Sequence, residues 1–153
     1  MQKITPFLWF KDNKAEEAAN FYVSIFKNSK ILEVLRYGDA GPGQKGDVML
    51  VTFELDGETF NALNGNIEFS FNHAVSLFVS CENQDEIDYF WQAFTADGGS
   101  EVACGWLTDK FGFSWQIAPK NIAELLRTPA QMQAMMKMMK LDIATLEAAG
   151  ESH

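Results

Sequence analysis

Apolar positions along this chain recur with two different periods. The run Ile4-Thr5-Pro6-Phe7-Leu8-Trp9-Phe10 has the length of a strand, and the segment from Ala15 to Lys27 then places Ala18, Phe21, Tyr22, Ile25 and Phe26 at helical spacing. Such a stripe must face a core, so the spacing predicts an amphipathic helix. The pattern then returns. A shift of 69 residues lays the first run over His73-Ala74-Val75-Ser76-Leu77-Phe78-Val79, Glu16-Glu17 over Asp85-Glu86, and Phe21-Tyr22 over Phe90-Trp91, with no gap. Ile87, Phe90, Trp91 and Phe94 make the second helical stripe. Asn28 and the Gly98-Gly99 pair supply the left-handed or turn residues that end each helix. Strands beginning Glu33-Val34 and Glu101-Val102 follow.

Later in each half, Gly57-Glu58-Thr59-Phe60-Asn61-Ala62 aligns with Gly112-Phe113-Ser114-Trp115-Gln116-Ile117 at a shift of 55. The shared pattern is glycine, any residue, hydroxyl, aromatic, carboxamide. The smaller shift requires about fourteen extra residues in the first half, and the glycine-rich stretch Gly38 to Asp47 is the insertion, read as a mobile surface loop. Val48 to Leu55 and Glu58 to Asn64, joined at Asp56-Gly57, read as a β-hairpin with a type I′ turn. Each half is therefore strand, helix, strand, strand, strand. The predicted class is α+β, two βαβββ modules enclosing a cavity, because a lone module would leave one sheet face uncovered. The whole chain, 1–153, is expected to form one domain, with module one at about 3–65, module two at about 72–119 and C-terminal helices at about 120–149. In that tail, Thr128-Pro129-Ala130-Gln131 is a capping box, and Met132, Met135, Met139, Ile143 and Leu146 are read as one stripe down a following helix.

Charge narrows the partners. Twelve Lys and Arg against 21 Asp and Glu give a net charge of −9, which repels phosphate backbones and anionic lipid surfaces. No nucleic acid and no membrane are expected as partners, and no apolar stretch reaches the roughly 20 residues of a membrane span. Two cysteines make no disulfide framework, so a reducing cytoplasm is the expected compartment. Cys104 lacks a neighbouring base and reads, like Cys81, as a packing residue.

The repeat, the opening ITPFLWF, the helix AEEAANFYVSIF, and the segments FNALNG and CGWLTDKFGFSWQIAP together resemble the PhnB-like branch of the vicinal oxygen chelate superfamily. That superfamily includes glyoxalases, extradiol dioxygenases, fosfomycin-resistance enzymes and bleomycin-resistance proteins. Some chains of this branch carry the label 3-demethylubiquinone 3-methyltransferase. The resemblance implies that the first and last strands of each module point side chains into the cavity, where enzyme members place His and Glu around a divalent metal. Matched strand to strand, those positions fall at Thr5, Asn61, Ala74 and Gln116. One hydroxyl, two neutral carboxamides and a methyl group offer no imidazole or carboxylate, so no metal and no other cofactor is expected. His73 lies one residue out of register and is expected to point away from the cavity, and His153 reads as a solvated terminus.

A Gly-x-Gly-x-x-Gly match at Gly41, Gly43 and Gly46 leads into a strand, where a phosphate-binding turn must open a helix. Nothing in the residues supports methyl transfer. The expected ligand-binding set is Thr5, Phe7, Trp9, Asn61, Ser76, Phe78, Trp106, Ser114 and Gln116, an apolar and aromatic surface with a few neutral hydrogen-bonding groups. Asn61 and Gln116 are expected to be satisfied by each other, by Thr5, by water or by ligand. The expected function is binding of a small, largely apolar organic molecule in a metal-free cavity. The alternative is a superfamily enzyme of lyase, transferase or dioxygenase type on a small organic substrate. The Met stripe and the family's pairing habit lead to an expected homodimer.

Overall fold

The computed structural model describes residues 2–151 and comprises two compact units, one ending at Ser70 and the other beginning at Phe71. The first contains β1 (Phe7–Phe10), α1 (Ala15–Ile25), β2 (Lys30–Arg36), β3 (Val48–Leu55) and β4 (Glu58–Asn64). Its sheet runs β1-β4-β3-β2, with β1 parallel to β4 and the other pairs antiparallel. Alternation along the strands puts Leu8, Phe10, Val51, Phe53, Leu55 and Ala62 in the core with Ala15, Ala18, Tyr22 and Ile25 of α1. The Tyr22 and Phe53 rings lie 6.1 Å apart in that core. Each large side chain buried there contributes about 1.5 to 3 kcal/mol.

The β3–β4 hairpin has the expected limits, and Asp56 and Gly57 both adopt positive φ, +48° and +84°, as a type I′ turn requires. β1 is shorter than the apolar run from Ile4. Pro6 has no N–H for a ladder, and it joins the sheet only through its carbonyl, which accepts from Asn61 at 3.0 Å. Lys14 gives α1 no side-chain cap. Asn64, buried at the end of β4, supplies one from outside: its Oδ1 accepts from the Ala15 amide at 2.9 Å while its Nδ2 donates to the Val48 carbonyl at 3.0 Å.

The second unit contains β5 (Ser76–Cys81), α2 (Gln84–Thr95), β6 (Ser100–Glu101), β7 (Trp106–Thr108) and β8 (Ser114–Pro119) in the order β5-β8-β7-β6. Again the first and last strands are parallel. Asn83 caps α2 by accepting from the Glu86 amide at 3.0 Å, and Asp85 and Glu86 favour the positive end of the helix dipole. Val79, Cys81, Leu107, Trp115 and Ile117 are buried on the α2 side, where Phe94 and Trp115 lie 4.5 Å apart.

The tail is helical, but the stretch from Met132 to Leu146 departs from the one helix expected there. It forms a 3₁₀ turn (Ile122–Leu126), α3 (Pro129–Met136) and α4 (Ile143–Glu151). The Thr128–Gln131 capping box is present. The helix breaks after Met136 because the amides of Cys104 and Gly105 donate to the carbonyls of Met138 and Met139, each at 2.8 Å, and draw the chain out of helical register. Gln84 secures the same bend, donating to Leu141 O at 2.9 Å and accepting from the Ile143 amide at 2.8 Å. Gln131, Leu141 and Leu146 are buried, whereas Met132, Met136 and Met139 are exposed, so no continuous Met stripe exists.

The strand register also corrects the repeat. Phe7 lies opposite Asn61, and Phe78 lies opposite Gln116. The first strands are thus related by 71 residues while the helices keep the shift of 69. Two residues must be inserted between β1 and α1. That loop carries Asp12 and Asn13, both in the left-handed region at φ +60° and +56°, which short polar side chains tolerate.

Candidate functional site

Each sheet has one face covered by its helix and one face turned away from it, and the expected ligand residues fall on the second kind. In the first unit that face carries Phe7 and Trp9 from β1, 57% and 42% exposed, with Asn61 and Leu63 beside them on β4 and Thr52 and Leu50 on β3. Thr5 lies two residues before β1, half-buried and outside the strand. In the second unit the face carries Ser76 and Phe78 from β5, Ser114 and Gln116 from β8, and Trp106 from β7. Phe78 is 48% exposed. The structure therefore brings Phe7, Trp9 and Asn61 together in one unit, and Ser76, Phe78, Trp106, Ser114 and Gln116 together in the other.

The two carboxamides are satisfied differently from expectation. Thr52 donates to Asn61 Oδ1 at 2.6 Å, and Gln116 Nε2 donates to Ser76 Oγ at 2.9 Å. Each amide is held within its own sheet, by a hydroxyl. The corrected register makes Ser76 the counterpart of Thr5, in place of Ala74, which precedes β5 in a turn.

His73 also departs from expectation. It sits in the turn before β5, where strand alternation does not apply, and its Nδ1 lies 2.8 Å from Ser114 Oγ. Its ring meets Trp106 edge-on at 6.1 Å. His73 therefore belongs to the open face. His153 lies outside the described residues.

The donor chemistry does not fit the divalent metal of the superfamily's enzymes. Thr5, Asn61, Ser76 and Gln116 are all neutral, and no group of three or more His, Cys, Asp or Glu side chains comes together among the described residues. A divalent ion at either unit's pair would shed hydration water and gain no charge in return.

One anchoring residue escaped the sequence reading. Asp109, buried in the turn between β7 and β8, accepts from the amides of Phe111 and Phe113 at 2.9 and 3.1 Å, and from the Trp115 indole at 2.9 Å. It fixes the loop that delivers Ser114 and Gln116 to the open face. Its signal was the Asp109 to Gly112 spacing, since Asp at the first position of a turn and Gly at its end is a common turn pattern. The thiol of Cys81 is pushed up to about 12, mainly by burial and then by the nearby Glu86 charge, so it is no nucleophile at neutral pH.

The Gly41 to Gly46 stretch runs into β3, as the sequence predicts, and not into a helix. No helix among the described residues is long and apolar enough to cross a membrane.

This pair of βαβββ units is the glyoxalase-like fold of the vicinal oxygen chelate superfamily. A fosfomycin resistance protein from Listeria monocytogenes is similar in fold alone, at 14% identity and a TM-score of 0.56, over 83% of this chain and 98% of that one. A Pseudomonas aeruginosa protein is similar at 18% identity and a TM-score of 0.65, over 78% and 98%. A PhnB protein from Bacillus cereus, described as a candidate 3-demethylubiquinone-9 3-methyltransferase, is 41% identical, with a TM-score of 0.70, over 77% of this chain and 99% of that one. The family model described as 3-demethylubiquinone-9 3-methyltransferase matches residues 2–118, and the chain belongs to that PhnB-like family. No curated protein matches it.

Proposed function

We propose that this protein binds a small, largely apolar organic molecule against the open sheet faces, without a metal. The observation that supports the reading is the exposure of Phe7, Trp9 and Phe78 on strands whose opposite faces are buried core. Exposed aromatics grouped with neutral hydrogen-bonding side chains are the usual make-up of a small-molecule site. Asn61 and Gln116 already have partners, so the surface offers area more than unpaired polarity. Methyl transfer, despite the family's description, has no supporting residue, since the glycine-rich stretch opens no helix.

A thermal-shift series with neutral bicyclic aromatics such as 2-naphthol tests the reading. Binding to the folded state alone stabilises by about 2.7 kcal/mol at a hundredfold excess over Kd, which raises the melting temperature by several degrees. The rise should shrink in Phe78→Ser. No shift with any neutral aromatic, or a shift that Phe78→Ser leaves intact, contradicts it.

A homodimer is part of the same proposal, supported by the exposed Met132, Met136 and Met139, at 40%, 65% and 51%, since Met suits adaptable contact surfaces. Sedimentation at micromolar concentration should show a dimer that Met136→Lys with Met139→Lys dissociates; a stable wild-type monomer contradicts it. The free Cys81 and Cys104 fit a reducing cytoplasm.

A further inference from the structure

The inserted loop between β2 and β3 is folded against the rest of its unit. The Tyr37 amide donates to Asp47 O and the Gly46 amide to Tyr37 O, both at 2.9 Å. Gly43 lies so close to the Tyr37 ring that a Cβ there would collide with it, and Gly65, just after β4, lies equally close to the Trp9 indole. These contacts leave a cavity of about 920 Å³ whose lining residues include Trp9, Tyr37, Gly43, Gly65, Asp12 and Asp47.

No Lys, Arg or His lines that cavity. The cations nearest in sequence have partners elsewhere: Lys11 donates to Ser70 Oγ at 2.7 Å, Lys14 pairs with Glu17 at 3.5 Å, Lys45 pairs with Asp39 at 2.9 Å, and Arg36 donates to the Gly46 carbonyl at 3.1 Å. Neither Asp12 nor Asp47 takes part in an ion pair among the described residues. Two aromatic residues and two acidic residues outside any ion pair thus border one half-open space, a negative and polarisable surrounding. An aromatic face attracts a positive charge through its quadrupole, and a carboxylate does so through its own charge. A divalent metal is the poorer match, because no three His, Cys, Asp or Glu side chains come together to hold one among the described residues, and the other oxygen-bearing side chains of the lining are neutral.

We propose that this cavity is a binding site for a small organic monocation of the quaternary ammonium class. It is distinct from the open-face site proposed above and shares Trp9 and Leu63 with that face.

Nitrogen–proton correlation spectra of the isotope-labelled full chain test the site, with choline as probe and its neutral isostere 3,3-dimethyl-1-butanol as control. Potassium chloride at matching ionic strength is the reference, and Trp9→Phe assigns the Trp9 indole signal. Choline should shift the Trp9 indole and the Gly43 and Gly65 amides saturably, and bind at least about tenfold more tightly than the isostere. Asp12→Asn with Asp47→Asn should cost about tenfold in choline affinity. Asn suits the positive φ of residue 12, and Asp47 meets Tyr37 through its backbone carbonyl, so both substitutions suit the local backbone. Equal affinity for choline and isostere overturns the proposal, and that contrast is read in the wild type even if the double variant fails to fold. Absence of saturable shifts at these three residues overturns it too.

Discussion

Asn61 and Gln116 hold equivalent places in the two units, and what surrounds them is not equivalent. Asn61 lies between Phe7 and Thr52, and the Thr52 hydroxyl reaches across the strand pair to it at 2.6 Å. Gln116 lies between Phe78 and Trp106. An indole cannot play the part of the Thr52 hydroxyl there, so the longer Gln116 side chain extends to Ser76 on β5. The shorter amide ends up buried and the longer one half-buried. One backbone position in one fold therefore yields a polar, closed centre in the first unit and an aromatic, more accessible one in the second, where Trp106 and Phe78 flank the amide.

The turn that carries Gln116 should be the most sensitive point of difference. The first unit joins its last two strands by the two-residue Asp56-Gly57 turn, while the second relies on Asp109 and its three hydrogen bonds. Asp109→Ala strands a buried indole N–H and two amides and should cost about 3 to 5 kcal/mol in urea denaturation. A loss under 1 kcal/mol would show that the loop does not depend on the carboxylate.

The next difference is one of pH. Cys81 stands at the end of β5, where the equivalent end of β1 has Phe10. Its thiol is raised from 9.0 to about 12 by burial, so the folded state holds its proton where the unfolded chain has lost it. The contribution is whole below pH 9 and is lost as pH rises toward 12. Stability should therefore fall across that window with a component of up to about 1.4 kcal/mol per pH unit. Cys81→Ala should remove that component; an unchanged slope would mean that the thiol ionises in place.

The two carboxamides themselves can be compared by removing each hydroxyl. Thr52→Val leaves the buried Asn61 oxygen unpaired and should cost about 1 to 2 kcal/mol, whereas Ser76→Ala should cost less than about 1 kcal/mol because water can reach Gln116. Equal costs, measured by chemical denaturation, would erase the contrast drawn between the two faces.

Local signals were the ones legible in advance. The stripe of α1 from Ala15 to Ile25 and the hairpin around Asp56-Gly57 depend on neighbours a few residues away, and the structure has both where the pattern puts them. The candidate faces followed from strand alternation, which fixes which residues share a side once a strand is known. The two-residue insertion between β1 and α1 was hidden because Asp12 and Asn13 leave both flanking patterns intact. The break after Met136 is made by Cys104 and Gly105, more than thirty residues away, and no periodicity in the tail records it. Its one local trace is Asp142, whose Oδ1 accepts from the Thr145 amide at 2.8 Å and starts α4. His73 was misplaced because alternation was extended into a turn, and the partners that hold it, Ser114 and Trp106, come from strands more than thirty residues further on.

The central claim is that the aromatic open faces take an apolar ligand with no metal involved. The most direct measurement is a fluorescence titration of untagged, chelator-stripped protein with the neutral probe N-phenyl-1-naphthylamine, repeated with added Zn²⁺ and with Phe78→Ser. The account predicts a saturable rise that is the same with and without Zn²⁺ and is weakened about tenfold or more by the substitution. Binding that appears only when Zn²⁺ is restored, or that Phe78→Ser does not weaken, would contradict it.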